Sequence, residues 1–144
     1  MIHHAWSVLA DRYTIDSQTN NLSVDIIESF QIQLRSSSPI PGPESTVVAP
    51  LKWSVVSLWY RDGDEVERGM AESELFSPQG TSLAVSGAEI VLEKQRLRTL
   101  STADAFPLVG SGTYMVRVRL RIGGEMTEVA RLPLEIQIAG AASA

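Results

Sequence analysis

The sequence predicts an all-β protein, built as an antiparallel β-sandwich of seven to nine strands. Three observations indicate this class. Apolar residues alternate with polar ones along several short segments, which is the period of a strand with one buried face. Turn-forming residues separate these segments roughly every 10 to 15 residues. No segment carries a convincing helical period, and a small barrel is the structural alternative.

The clearest strand pair is predicted over residues 113–138. Every even-numbered residue from 114 to 122 is apolar, and a Gly-Gly pair follows that suits a tight hairpin turn. The alternation changes phase between Val129 and the series Leu132, Leu134, Ile136 and Ile138. Pro133 lacks a backbone donor, so it predicts a kink or an edge position.

The first 50 residues predict two strands and a long connection. Residues 4–12 alternate as a first strand, and the polar run at 16–21 has turn chemistry. Residues 22–34 alternate as one further strand, with a bulge or an edge position at Glu28. Residues 35–50 hold four of the seven prolines and a serine cluster, which predicts a loop or a crossover between sheets.

Residues 51–60 form the most apolar predicted strand. One face carries Leu51, Trp53, Val55 and Trp59, and the other carries Val56, Leu58 and Tyr60. Such a strand is covered on both faces.

The strands that follow have a less regular alternation of apolar residues. Residues 65–76 predict a Glu-rich returning strand, and residues 82–93 a further strand with a bulge or a break near Gly87. Residues 88–100 could also form a helix of a few turns. The spacing of all these strands favours an immunoglobulin-like layout.

Length and composition favour one domain. A cut at 35–50 would leave a first piece of about 35 residues, which is too small to fold alone. We therefore expect a single sandwich domain over 1–138 and a flexible C-terminal tail over 139–144.

The composition excludes several classes of function. The 144 residues include no cysteine, so disulfides, thiolate metal sites and cysteine nucleophiles are excluded. The net charge of −5 disfavours partners such as nucleic acid or an anionic membrane surface. Neither a signal peptide nor a membrane-spanning run is predicted, which favours a soluble, cytoplasmic protein.

No catalytic, metal or cofactor motif stands out. The chain has no G-x-S-x-G elbow and no phosphate loop. His3 and His4 are adjacent, so in a strand they point to opposite faces and make a poor metal pair. The acidic hairpin of residues 62–67 could hold a weak cation, but its spacing does not match an EF-hand loop. We expect no catalytic residue, no cofactor and no resident metal.

Two surfaces are candidates for a partner. The face with Val56, Leu58 and Tyr60 has no obvious cover, so the proline-rich loop or another subunit would have to cover it. The arginine row of Arg117, Arg119 and Arg121 could grip an acidic partner. Its alternative role is cross-strand pairing with Glu125 and Glu128.

Four segments of the chain resemble a known family. They are HAWSVLADRYTIDSQTNNLSV, PLKWSVVSLWYRD, LFSPQG and GSGTYMVRVRLRIGGEMTEVARLPLEIQI, in that order. Together they resemble an uncharacterised family of small bacterial β-sandwich proteins known as a domain of unknown function. The resemblance spans about residues 4 to 138. It implies an immunoglobulin-like sandwich and a bacterial or phage source, and it brings no catalytic residues.

Two hypotheses of function follow. The first is a non-enzymatic protein-interaction or assembly module that binds a protein partner or a second copy of itself. The alternative is a binder or enzyme for a small molecule, cation or carbohydrate that uses the acidic hairpin and the arginine row.

Overall fold

All regular secondary structure in the described part of the chain is β-strand. The computed structural model describes residues 1–35 and 39–140 and contains eleven strands and no helix in those ranges. This count exceeds the seven to nine strands expected. The strands are β1 (Ile2–Ile15), β2 (Leu22–Ile26), β3 (Ser29–Gln33), β4 (Val47–Ala49), β5 (Trp53–Arg61), β6 (Glu67–Phe76), β7 (Ser82–Leu92), β8 (Arg96–Ala103), β9 (Phe106–Leu108), β10 (Gly112–Ile122) and β11 (Glu125–Ala139).

Two larger sheets and one short ribbon contain these strands. The first sheet has the order β2-β1-β5-β8, the second sheet has the order β3-β11-β10-β6-β7, and β4 pairs with β9. Neither larger sheet closes on itself, unlike the sheet of a barrel. All named pairs are antiparallel except β3 and β11, which run parallel. The second sheet is therefore mixed, and the expectation of a fully antiparallel structure is wrong at this edge.

Residues 22–34 form two strands in different sheets, not one strand with a bulge. The chain leaves the first sheet at Ile27, whose N–H still donates to the Leu9 carbonyl at 2.8 Å. One residue later the Glu28 carbonyl accepts from Glu135 N–H at 3.1 Å, in the second sheet. The switch keeps the same even-odd alternation on both sides, so the sequence pattern does not reveal it.

The core lies between the two larger sheets and includes residues of both. Phe106, from the short ribbon, is fully buried at its centre. Its ring packs edge-to-face against Trp53 at 5.4 Å, Tyr114 at 5.3 Å and Phe30 at 6.4 Å between ring centres. Aromatic pairs favour this geometry, so the ring of Phe106 joins the first sheet, the ribbon and the second sheet.

Tyr114 fixes the chain where it enters β10. Its buried hydroxyl donates to the Gly110 carbonyl at 2.7 Å and accepts from Val109 N–H at 2.9 Å. Gly112 lies in the same turn with φ of 142°, and a Cβ there would come within 2.9 Å of Pro78. The turn therefore requires glycine at this position.

Other expectations from the sequence have mixed outcomes. The change of phase after Val129 corresponds to a bulge, because the register of β10 and β11 shifts between Val118 and Arg119. The break near Gly87 is wrong, since β6 and β7 stay in register through that residue. Apolar residues change phase there because Val85 lies on the exposed outer face of β7, whereas Ile90 lies in the core.

Two further expectations concern a helix over residues 88–100 and a flexible tail over residues 139–144. The helical alternative for residues 88–100 is wrong, because β7 and β8 occupy this stretch. Of the predicted flexible tail, Ala139 ends β11 and residues 141–144 lie outside the described residues. In the described part of the chain, no helix has the length and apolar character needed to cross a membrane.

Candidate interaction surface

Strand β5 presents Val56, Leu58 and Tyr60 on the outer face of the first sheet. The inner face of the same strand carries the core residues Trp53, Val55 and Trp59, because successive side chains of a strand point to opposite faces. Across the ladder, Val8 and Trp6 of β1 pair with Val56 and Leu58, and Leu100 and Arg98 of β8 pair with them from the other side.

Val56 has no exposed surface, although it lies outside the core cluster. The turn between β1 and β2 supplies a contact across this face, because the Arg98 guanidinium donates to the Asn20 carbonyl at 3.0 Å. Strand β8 is separated from β1 by β5. The β1–β2 hairpin therefore reaches across the outer face of β5, and Val56 is unavailable to a partner.

Leu58 is half-buried, and it leads into an exposed group that we call the aromatic patch: Trp6, Leu58, Tyr60 and Arg96. Trp6 is 36% exposed and Tyr60 is 41% exposed. A cavity of about 430 Å³ lies among Leu58, Tyr60 and Arg96. Solvent-exposed tryptophan, tyrosine and arginine side chains are the types that contribute most to protein interfaces.

The N-terminal strand holds the aromatic patch in place. The His3 ring stacks on the Tyr60 ring with 5.0 Å between centres, and its Nε2 lies 3.0 Å from Asp62 Oδ2. The pairing of β1 with β5 shifts register between His4 and Trp6. The hydrogen bond from His3 lowers the pKa of Asp62. Asp62 therefore serves to orient His3 and, through it, the Tyr60 ring.

The acidic hairpin is tied to the N-terminus as well. The Met1 amino group lies 2.7 Å from Glu67 Oε1 and 3.4 Å from Asp62 Oδ1. Among the described residues, no ion pair joins Asp62 or Asp64 to the arginine row, and no group of three metal-ligating side chains could hold a metal ion.

A polar network that sequence reasoning missed lies on the inner side of the first sheet. His4 Nε2 is 2.7 Å from Ser7 Oγ, which is 2.6 Å from Ser57 Oγ. The His4 ring packs against Trp59 with 5.2 Å between centres, and burial lowers the pKa of His4. A histidine and a serine at this distance resemble a base and a nucleophile. However, no described carboxylate orients His4, and both serines bond to one another.

The arginine row lies on the outer face of the second sheet and is largely neutralised there. Arg119 Nη1 is 2.7 Å from Glu74 and 3.2 Å from Glu72, both on the neighbouring strand β6. Arg117 Nε is 3.4 Å from Glu128. The expected pairing with Glu128 is therefore present, and the larger share of pairing comes from the Glu-rich strand β6.

Two further contacts complete this face. The Arg117 guanidinium lies 4.5 Å from the centre of the Phe76 ring, a cation–π distance. A hydrogen bond from the Ser82 hydroxyl, together with Arg119, lowers the pKa of Glu74. In the described part of the chain, neither Arg121 nor Glu125 has an oppositely charged side chain within 4.0 Å.

The two candidate surfaces do not meet, since they lie on the outer faces of different sheets. Sequence comparison adds no further constraint on the site, because neither a protein-family model nor a curated protein matches the chain. The family resemblance stays a prediction from the residues that carry it.

Proposed function

We propose that the chain is an immunoglobulin-like β-sandwich that acts as a non-enzymatic protein-interaction or assembly module. The strand orders support the layout. Strands β1, β5 and β8 are neighbours as A, B and E are in immunoglobulin domains, and β6, β10 and β11 are neighbours as C, F and G are. The hydroxyl contacts of Tyr114 near the start of β10 match the tyrosine corner of such sandwiches.

The aromatic patch is the observation that carries the proposed function. Trp6 and Tyr60 are each more than a third exposed. Tyr60 lines a concave region with Leu58 and Arg96, and Trp6 pairs with Leu58 from the neighbouring strand. A partner that covered them would bury apolar area at little cost in side-chain entropy, since their rings have few rotatable bonds. His3 already restrains Tyr60, so binding would order little that is mobile.

The arginine row supports a partner less well. A new acidic partner would have to displace Glu72, Glu74 or Glu128 from their present contacts. Such an exchange gains little free energy because one charge pair replaces another. The contacts of the acidic hairpin also give no reason to favour the alternative of a ligand binder or enzyme.

The test is a comparison of captured partners between variants. The immobilised chain is exposed to an extract, and retained proteins are quantified for the wild type, Trp6→Ala, Tyr60→Ala and Tyr13→Ala. Tyr13 is 39% exposed outside the aromatic patch and serves as the matched control. Unfolding midpoints confirm that each variant is folded.

We expect a defined protein to be retained by the wild type and by Tyr13→Ala, and lost from both patch variants. Truncation of such anchor residues costs about 2 kcal/mol or more of binding free energy, or roughly a 30-fold loss of affinity. The proposal fails if every retained protein binds the folded patch variants as well as it binds the wild type.

A further inference from the structure

The free edges of the two sheets differ in how they are protected. Strands β2 and β3 are only five residues long, and the free edge of β8 carries Arg96 and Arg98. Strand β11 carries Pro133 and several charged residues where β3 does not cover it. Short length, charge and proline are the features that keep sheet edges from pairing with another chain.

Strand β7 has none of these features, and its pairing with β6 shifts register only near its start, at Leu83. It is eleven residues long, contains no proline and has one charged residue, Glu89. It pairs with β6 on one side only and is the last strand of the second sheet. Residues 84–89 are exposed along its middle, and Val85 is 58% exposed. Its free backbone N–H and C=O groups are therefore open to another strand.

The neighbouring region has room for such a strand. Between β7 and the edge of the first sheet lies a cavity of about 220 Å³, lined by small side chains that include Ala84, Ser86, Ser101 and Ala103. A single side-chain hydrogen bond, Ser86 Oγ to Ser101 Oγ at 2.9 Å, crosses this opening in the described structure. The edge is thus accessible from the side and not shielded by bulky residues.

We propose that β7 is a self-association edge, which pairs antiparallel with β7 of a second copy about a two-fold axis at Gly87. Gly87 is the midpoint of Ser82–Leu92, and this register pairs the regular stretch of residues 84–90 with its counterpart. About six to eight inter-strand hydrogen bonds would form in an antiparallel pair of this length. Gly87 has no side chain where the two strands are directly opposite.

The charge pattern of β7 suits a second copy. In this register Glu89 lies opposite Val85 of the other copy, so the two Glu89 carboxylates are about 14 Å apart, which exceeds the Debye length of about 8 Å at physiological salt. Each Glu89 also has a local counter-charge, since Arg68 Nη1 is 3.7 Å from its carboxylate. Like charges therefore do not oppose the pairing at the edge. This inference concerns a different surface from the aromatic patch and does not depend on it.

The first test is the solution mass by size-exclusion chromatography with light scattering over a range of concentrations. We expect the wild type to reach twice the chain mass of 15.7 kDa. Val85→Glu should raise the dimer dissociation constant at least tenfold, since the new carboxylate lies directly opposite Glu89 of the other copy and like charges there are destabilising. The matched control is Ile26→Glu, because Ile26 is 59% exposed on a strand of the other sheet, and it should leave the dimer intact. Thermal melts verify that both variants fold.

A wild-type monomer at every concentration would overturn the proposal, and so would equal dissociation by the two glutamate variants.

The second test uses the absence of cysteine from the sequence. A cysteine at position 87 fits, since a Cβ there would meet nothing closer than the Ala71 carbonyl oxygen at 3.7 Å. Gly87→Cys should form a disulfide between copies on mild oxidation, because directly opposed residues have Cα atoms about 4.5–5.5 Å apart, within the range that a disulfide spans. The control is Gly124→Cys, at an open turn. Equal cross-linking of the two variants would contradict the two-fold axis at Gly87.

Discussion

The outer face of the first sheet carries aromatic and aliphatic side chains, whereas the outer face of the second sheet carries arginines and glutamates in contact. On the second sheet, Arg117 and Arg119 are neutralised by glutamates from the strands beside them. On the first sheet, Val56 is covered within the chain and Tyr60 is exposed. The second sheet therefore pairs two arginines of its row with glutamates of the same chain, whereas the first sheet covers its apolar outer residues at one end only.

This contrast separates two reasons for an unusual surface. A row of like charges attracts attention in a sequence, but neighbouring strands can neutralise it and leave little free energy for a partner. An apolar strand face can be satisfied only by burial. The part of such a face that its own chain leaves uncovered is therefore the better indicator of an interface.

The largest effect is expected for a charge at the covered end of the first face. Val56→Asp places a carboxylate where no surface is exposed, and the free energy of unfolding should fall by about 3–5 kcal/mol. Val48→Asp is the matched control on a position of β4 that is 66% exposed, and should change it by about 0.5 kcal/mol or less. Denaturant unfolding measures both. An unchanged stability for Val56→Asp would mean that the face is open in solution.

A smaller effect is expected where the β1–β2 hairpin contacts β8. Arg98→Ala removes the guanidinium that donates to the Asn20 carbonyl, and should lower the free energy of unfolding by about 1–2 kcal/mol. It should also speed amide hydrogen exchange in the hairpin over residues 11–26, while the exchange of β10 stays unchanged. Exchange that rises equally in both regions would show that the contact does not hold the hairpin.

The ion pairs of the second face should contribute less. Arg119→Ala leaves Glu72 and Glu74 without their counter-charge, and should cost about 1 kcal/mol at low salt. The difference in unfolding free energy between this variant and the wild type should shrink in 0.5 M salt. The Debye length is then only about 4 Å, so the ion pairs are more strongly screened. Chemical unfolding at the two salt concentrations measures it. The Arg119 guanidinium also lies 6.0 Å from the centre of the Phe76 ring, so a salt-independent loss would mean that Arg119 acts through this contact and not through its ion pairs.

The smallest effect is a pH dependence from His4. Burial lowers the pKa of His4 in the folded chain below its usual 6.5, so protonation favours the unfolded state. Stability should therefore decrease as the pH falls through 6.5, and level off below the folded-state pKa. His4→Gln should flatten this decrease between pH 7.5 and about 5, while His3→Gln, which leaves the His4 network in place, should keep it. Thermal unfolding midpoints across this range decide between the two.

The sequence predicts the strands well where alternation and turn residues agree. The hairpin of β10 and β11 and its glycine turn follow from the period of apolar residues and the Gly-Gly pair, and the change of phase after Val129 coincides with the register shift. The split of residues 22–34 between two sheets does not, because Ile26 and Ile32 keep the same parity although Ile26 is 59% exposed. Alternation reports which residues share a face, but not which sheet holds that face.

The candidate site is only partly predictable for a related reason. The sequence identifies Leu58 and Tyr60 as unusual apolar residues, but it does not show that Val56 is covered. That cover involves Asn20 and Arg98, which are 78 residues apart in the chain. Trp6 and Arg96 join the patch through strand pairing with β5, so their role becomes visible only when the sheet order is known.

The most direct test of the account compares one exposed residue from each face in the same capture experiment. Tyr60→Ala and Arg121→Ala both truncate exposed side chains, on the first and the second sheet respectively. The account expects the protein retained by the wild type to be lost from Tyr60→Ala and kept by Arg121→Ala. Loss from Arg121→Ala with full retention by Tyr60→Ala would place the interface on the charged face and contradict the account.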